Sequence, residues 1–121
     1  MSGKEFLYIA ASPTYSSDYQ IKVGISDDPH RRVTAFKRYD HLFKLVAVFS
    51  FENRNFPEVL ECDMIAHFYK KAFMAAADHD ENHNLILKRR GREFFEGDPR
   101  HFIAYAKRKA KASGETFRRV L

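Results

Sequence analysis

Two short segments near the start of the chain determine its fold: FLYIAA at residues 6–11 and QIKVGI at residues 20–25. The first is a continuous apolar run rich in β-forming residues, which predicts a central strand. The second alternates polar and apolar residues, which is typical of a strand with one buried face. Residues 12–18 contain Pro, Ser, Thr and Asp. We therefore expect a loop there that joins the two strands as a hairpin.

The following segments alternate between helix and strand signals. Asp28 and Asp98 are each followed by proline, a combination typical of helix starts, and predict helices over residues 28–40 and 98–112. Residues 57–77 predict a long helix, and residues 42–51, rich in Val, Phe and Leu, predict a third strand. Residues 78–84 predict a polar loop, and residues 85–95 fit either a loop or a short strand pair. The tail, residues 113–121, is expected to be mobile or accessory.

The predicted element order is β-β-α-β-α-(β)-α, which indicates the α+β class. The economical architecture is a small three-stranded antiparallel sheet flanked by three helices. A length of 121 residues fits one domain over residues 1–121. We expect its core over about 6–95 and a C-terminal basic helix with its tail over 98–121.

The composition restricts the classes of function. The net charge of +5 favours anionic partners, nucleic acid first and anionic membrane second. A hydrophobic content of 45% argues against global disorder. Cys62 is the one cysteine, so no internal disulfide is expected. Because no leader-like or membrane-spanning apolar run is evident, we expect a soluble cytoplasmic protein without membrane contact.

Helical phase identifies two charged residues among apolar ones. In the first predicted helix, Arg32 lies on the same stripe as Val33 and Phe36, so it is expected to point toward the sheet or the edge of the core. In the second, Glu61 lies inside the apolar arc of Leu60 and Met64. A carboxylate directed at an apolar face is costly unless it is paired or holds a cation.

Two interpretations of these charges remain open. Arg32 and Glu61 either pair with each other or reach water, or they line a cleft that grips phosphate and holds a divalent metal. Phosphodiester hydrolysis needs a cation on the phosphoryl oxygen, donors for developing charge and a base for water. The second interpretation therefore predicts action on a nucleic-acid backbone.

Several short motifs along the chain resemble, in sequence and in order, those of the GIY-YIG nuclease superfamily. Residues 6–8 (FLY) stand where Gly-Ile-Tyr would be, and residues 22–24 (KVG) stand where Tyr-Ile-Gly would be. Arg32 and Glu61 match the family arginine and glutamate. Residues 21–26 (IKVGIS) and 92–95 (REFF) are similar to a phage and bacterial branch whose second motif is Lys-Ile/Val-Gly.

The resemblance implies a GIY-YIG-like fold and a metal-dependent endonuclease. Tyr8 would help to activate water or orient the phosphate, and Lys22 would donate to a phosphate oxygen or act as a base. Arg32 would stabilise the phosphate charge, and Glu61 would bind Mg²⁺ or Mn²⁺ through oxygen. Asp63, four residues before His67, is the alternative metal ligand. Gly24 is expected to mark a close backbone approach or a bulge and to have no chemical role.

The leading hypothesis is therefore a single-metal, water-mediated endonuclease that acts on DNA in preference to RNA. A protein partner or a dimer would supply its specificity. The alternative is a nucleic-acid-binding module with weak or lost catalysis, which the replacement of the second tyrosine by Lys22 favours. Two basic clusters, at residues 88–92 and 107–111, predict either phosphate contacts or solvated faces. The acidic run at residues 78–83 is expected to be a solvated loop.

Overall fold

One antiparallel sheet connects segments from both ends of the chain. The computed structural model describes residues 5–13, 19–38, 41–77 and 94–121. Within these ranges the strands are β1 (Phe6–Pro13), β2 (Tyr19–Ser26), β3 (Lys44–Phe51), β4 (Phe94–Gly97) and β5 (Phe117–Arg119). The helices are α1 (Pro29–Phe36), α2 (Phe56–Ala77) and α3 (Pro99–Ala112).

The strand order is β4-β2-β1-β3-β5, with every neighbouring pair antiparallel. The predicted α+β class and the central position of β1 are confirmed. The predicted count of three strands is wrong, because β4 and β5 extend the sheet at its two edges. These strands have four and three residues, which is too short for an alternating pattern to identify them.

The tail is part of this sheet. β5 pairs with β3 through Phe117 opposite Phe51 and Arg119 opposite Phe49, so the expectation of a mobile or accessory tail is wrong. α3 ends at a left-handed glycine, Gly114 (φ 70°). The amides of Gly114 and Glu115 donate to the carbonyls of Lys111 and Ala110, each at 3.0 Å, as in a Schellman motif. This turn directs the chain from α3 back to the sheet edge.

The two faces of the sheet carry different helices. In β1, Leu7 and Ile9 belong to the larger apolar cluster, which includes residues of α2 and α3, whereas Tyr8 and Ala10 belong to a smaller cluster with Val33 of α1. Successive strand residues point to opposite faces. α1 therefore covers one face, and α2 and α3 cover the other.

The helix starts follow the predicted signals. Asp28 and Asp98 cap α1 and α3, and their side chains accept bonds from the amides of Arg31 and Arg100. α1 ends at Phe36 rather than near residue 40. The amide of Lys37 is shared between the carbonyls of Val33 (3.1 Å) and Thr34 (3.2 Å), which tightens the last turn.

α2 and α3 pack on the sheet through aromatic rings. Phe68 of α2 stacks on Phe102 of α3 with ring centroids 3.8 Å apart, and Phe95 of β4 lies 5.7 Å from Phe102. Phe102 and Tyr105 belong to the larger apolar cluster and Ile103 packs against it, so these three residues dock α3. No helix in the described ranges is both long and apolar enough to cross a membrane. The predicted loop at 78–84 and the segment before Phe94 lie outside the described residues.

Candidate functional site

Tyr8 and Gly24 lie opposite each other on β1 and β2. A Cβ atom added to Gly24 would lie 2.6 Å from the Tyr8 hydroxyl oxygen and 2.7 Å from Cζ of its ring. The Tyr8 ring therefore occupies the space above Gly24, as the expected close backbone approach requires. Tyr8 is only 1% exposed, which places it beneath the surface of the α1 face.

Lys22 lies on the same face as Tyr8. It pairs with Ala10, two residues along β1 from Tyr8, so the two side chains are diagonal neighbours on adjacent strands. Lys22 is 7% exposed, and its Nζ lies 5.8 Å from the ring centroid of Phe36 on α1. That distance is within cation–π range. Helix α1 thus covers a buried ammonium group, and Lys22 is not a solvated strand lysine.

Arg32 is exposed on the flank of α1. Pro29 and Val33 are the buried residues of α1, whereas Arg32 is exposed. Of the two expected positions, the sheet is wrong, and the structure places Arg32 at the edge of the core. Its position lies about 60° from the buried stripe of α1, by the helical periodicity of 3.6 residues. From that flank a long guanidinium side chain reaches water. Arg32 is nevertheless on the helix that covers Tyr8 and Lys22.

Glu61 lies on α2 and is half-buried. Its neighbours Leu60 and Met64 belong to the larger cluster, so its helix packs on the face opposite α1. Among the described residues no ion pair joins Arg32 and Glu61. The interpretation in which these two charges neutralise each other therefore does not hold. The structure groups Tyr8, Lys22 and Arg32 on one face and places Glu61 on a helix of the other.

Asp63, the alternative metal ligand, connects α2 to α3. Its Oδ2 accepts the hydroxyl of Tyr105 at 2.7 Å and lies 3.6 Å from Nζ of Lys109. Burial of Tyr105, followed by this hydrogen bond, raises the pKa of its hydroxyl to about 12. His67 stacks on Tyr105 with centroids 4.3 Å apart. The sequence offered Asp63 as a metal ligand and gave no signal that it accepts a hydrogen bond from Tyr105.

A small pocket of about 140 Å³ lies beside the contact between Asp63 and Lys109. Val59, Asp63, Lys109 and Ser113 are among its lining residues. It lies between α2 and α3, on the sheet face opposite Tyr8 and Lys22.

No three His, Cys, Asp or Glu side chains in the described part of the chain are grouped to hold a metal. The acidic run at residues 78–83 and the basic cluster at residues 88–92 lie outside that part. Glu61 is the candidate oxygen ligand that the sequence proposed, and one carboxylate suits a hard cation that keeps water and phosphate as its other ligands.

The positive charge is concentrated in two segments. Residues 29–38 and 99–112 contain nine of the 21 Lys and Arg and none of the 16 Asp and Glu. The rest of the chain therefore has more acidic than basic residues. In the first segment the side chains of Arg31, Arg32, Lys37 and Arg38 are all exposed. The basic cluster of α3 was predicted from the sequence and that of α1 was not, although the absence of acidic residues in 29–38 was a readable signal.

Comparison with known proteins identifies one family. The model of the T5orf172 domain matches residues 5–110. This match corrects the assignment to the GIY-YIG nuclease superfamily, which rested on two short motifs that each depart from the family pattern at two positions. The matched family is associated with nuclease-like or DNA-binding function, which supports a role on nucleic acid. No curated protein and no solved structure gives a significant match.

Proposed function

The chain belongs to the T5orf172 domain family, and from this membership and the charge on α1 we propose a metal-dependent endonuclease that hydrolyses phosphodiester bonds. DNA is the proposed substrate in preference to RNA, because the family association includes DNA binding. The observation that carries the proposal is the exposed basic helix above a buried lysine. Arg31, Arg32 and Arg38 face solvent on α1 and its final turn, and Lys22 lies beneath Phe36.

The α1 face attracts a phosphate backbone. Exposed Lys and Arg without acidic neighbours bind nucleic acid independently of its sequence and release counterions. Arg32 has no side-chain ion pair among the described residues, so its guanidinium can form paired hydrogen bonds to phosphate oxygens. In the proposed reaction Arg32 stabilises negative charge on the phosphoryl group, which is the main contribution of such donors to catalysis.

Glu61 is the proposed holder of Mg²⁺ or Mn²⁺. A carboxylate oxygen is the ligand type that these cations prefer, and the half-buried position of Glu61 limits competition from bulk water. When bound, the metal would polarise the phosphoryl oxygen and lower the pKa of a bound water. Lys22 and Tyr8 are buried beneath α1, on the sheet face opposite α2. In this proposal they would orient the attacking water or the phosphate only once α1 moves to expose them.

The burial of Tyr8 and Lys22 also favours a second candidate function. With exposures of 1% and 7%, Tyr8 and Lys22 do not reach a substrate in this conformation. In a nucleic-acid-binding module they would instead hold α1 in position, Tyr8 through the contact with Gly24 and Lys22 through Phe36. Catalysis would then be weak or absent, while binding through α1 would be retained.

A plasmid-nicking assay with Mg²⁺ or Mn²⁺ distinguishes the two candidates. We expect Arg32→Ala and Glu61→Ala to reduce metal-dependent nicking by about 10²-fold or more, the effect typical of losing one charge-stabilising group. Arg54→Ala and Glu58→Ala are the matched controls, since both residues are exposed and Glu58 is on the same helix as Glu61. Equal nicking by all four variants would contradict the assigned roles. DNA binding without nicking in either metal would establish the second candidate.

A further inference from the structure

The outer surface of α3 is a second basic surface among the described residues, besides that of α1. Phe102, Tyr105, Ala106 and Ala110 are the buried residues of α3. At 100° per residue, the direction opposite this stripe is occupied by Ala104, Lys107, Arg108 and Lys111. Ala104, Arg108 and Lys111 are exposed, and Lys107 is half-buried. We call Lys107, Arg108 and Lys111 the α3 cation cluster.

The other basic residues of α3 have acidic partners. Arg100 forms an ion pair with Asp98 (2.6 Å), and hydrogen bonds from Arg100 hold the pKa of Asp98 at about 2. Lys109 lies beside Asp63. In contrast, the α3 cation cluster has no ion pair with an acidic residue of the described chain. Arg108 instead lies over the ring of Tyr105, with its Cζ 5.2 Å from the centroid, which holds its side chain along the helix surface.

The two basic surfaces face opposite directions. α1 covers the sheet face that carries Tyr8 and Ala10, and α3 covers the face that carries Leu7 and Ile9. Because the sheet separates the two helices, one duplex bound along the outer surface of α1 leaves α3 open to solvent. The described part of the chain therefore presents two positive surfaces that separate nucleic-acid segments can occupy at the same time.

We propose that the α3 cation cluster binds the phosphate backbone of a second nucleic-acid segment, so that one molecule bridges two segments through α1 and α3. Charge complementarity carries this proposal, because three uncompensated cations surround the small exposed Ala104, which permits close approach of a backbone. The proposal rests on the proposed function only for the use of α1 as the first surface. The bridged ligand is DNA duplex, and contact with phosphates makes bridging independent of sequence and sensitive to salt.

A bead assay measures bridging directly. One duplex is fixed to beads, a second labelled duplex is added in EDTA to prevent cutting, and the label retained on the beads is counted with and without the protein. The triple variant Lys107→Gln, Arg108→Gln, Lys111→Gln should lose most of the retained label but still bind a single duplex. Its control, Lys44→Gln, Arg54→Gln, Arg118→Gln, removes three exposed cations elsewhere and should keep bridging.

The salt dependence of binding gives a second readout. The slope of log binding constant against log salt concentration is roughly 0.9 in magnitude per phosphate neutralised. Loss of three phosphate contacts should therefore reduce its magnitude by up to about 2.7. The variant Ala104→Glu keeps every cation of the cluster, and glutamate is a good helix former. Its carboxylate should repel phosphate and so abolish bridging. Ala66→Glu, at an exposed position of α2, is its control. Unfolding temperatures of all variants confirm that they fold.

Three results would overturn the proposal: no bridging by the native chain, bridging by the α3 triple variant equal to that of its control, or bridging by Ala104→Glu equal to that of Ala66→Glu. If bridging arose from dimers in which each copy binds one duplex through α1, the α3 triple variant would bridge as well as its control. Failure of the proposed endonuclease is a separate outcome, because nicking and its loss in Arg32→Ala are measured with metal, whereas bridging is measured in EDTA.

Discussion

The side chain of Tyr8 fills the space beside Gly24 on the sheet face that α1 covers. The glycine has no side chain, and the aromatic ring of its cross-strand partner fills the position where a Cβ would be. Gly24 is therefore needed for packing and not for an unusual backbone angle. This contact explains how a tyrosine fits between two strands and a helix with 1% exposure.

We expect Gly24→Ala to lower the free energy of unfolding by about 1–3 kcal/mol, the range for overpacking a filled core. The added methyl would lie within 3.0 Å of the hydroxyl oxygen and two ring carbons of Tyr8, which is almost fully buried. Gly97→Ala is the matched control, because its Cβ would meet only Cε1 of Phe102, at 3.7 Å. Unfolding in urea measures the free energy of unfolding of both variants. An equal effect of the two substitutions would show that Tyr8 does not occupy this space.

The Tyr105–Asp63 hydrogen bond gives a second prediction at this scale. Tyr105→Phe should lower the free energy of unfolding at pH 7 by about 1.5–3 kcal/mol, as expected for a bond to a charged acceptor. The folded-state pKa of Tyr105 is raised from 10.0 to about 12. Its contribution is therefore complete below pH 10 and is lost as the pH rises from 10 through 12.

Unfolding experiments at pH 7 to 12 check this dependence. The native chain should lose stability in the alkaline window more steeply than Tyr105→Phe does. Tyr19→Phe, at an exposed position, should retain the native pH profile. A Tyr105→Phe profile parallel to that of the native chain would refute the assigned titration.

At the scale of elements, the edge strand β5 contributes more than its three residues suggest. Phe117 lies 6.2 Å from Phe49 and 6.0 Å from Phe51, measured between ring centroids. The amide of Val120 donates to the carbonyl of Val48 at 2.7 Å. These contacts cover the edge of β3, which would otherwise expose unpaired backbone groups.

Phe117→Ala should therefore destabilise the protein by about 2 kcal/mol, less than the 3–5 kcal/mol typical of a fully buried phenylalanine, because the ring is half-buried. Arg118→Ala, on the same strand but exposed, should change stability by less than about 0.5 kcal/mol. Thermal unfolding compares the two. A neutral Phe117→Ala would indicate that β5 does not stabilise the sheet in solution.

At the scale of the whole molecule, the sheet separates two apolar clusters and two basic helices. β1 is central and has hydrogen-bonded strands on both sides, whereas β4 and β5 are edges. Local opening should therefore begin at the edges, where fewer bonds must break.

Hydrogen exchange tests this order. Amides of β1 should exchange only through global unfolding, and amides of β4 and β5 should exchange at least about 10-fold faster, which corresponds to a difference of roughly 1.4 kcal/mol in opening free energy. Mass spectrometry of peptides covering each strand gives the rates. Protection of residues 117–119 equal to that of residues 7–11 would contradict the predicted order.

The signals that could be read from the sequence are local ones. Asp28-Pro29 and Asp98-Pro99 predicted two helix starts because caps act within one turn. The apolar run in β1 predicted the central strand because burial on both faces leaves few polar positions. The two strand patterns also predicted a hairpin, and a hairpin fixes which residues are opposite each other, here Tyr8 and Gly24.

Other features depend on contacts between distant segments, and only the tertiary structure decided them. β5 forms because β3 offers an unpaired edge, and three residues have no pattern of their own. Helical phase placed Arg32 on the apolar side, but the position of the sheet relative to α1 left it on the exposed flank. Asp63 and Tyr105 are 42 residues apart, and their bond exists because α2 and α3 pack on the same face. The sequence by itself determined the local elements and the basic charge, whereas packing determined which charges are buried and which face solvent.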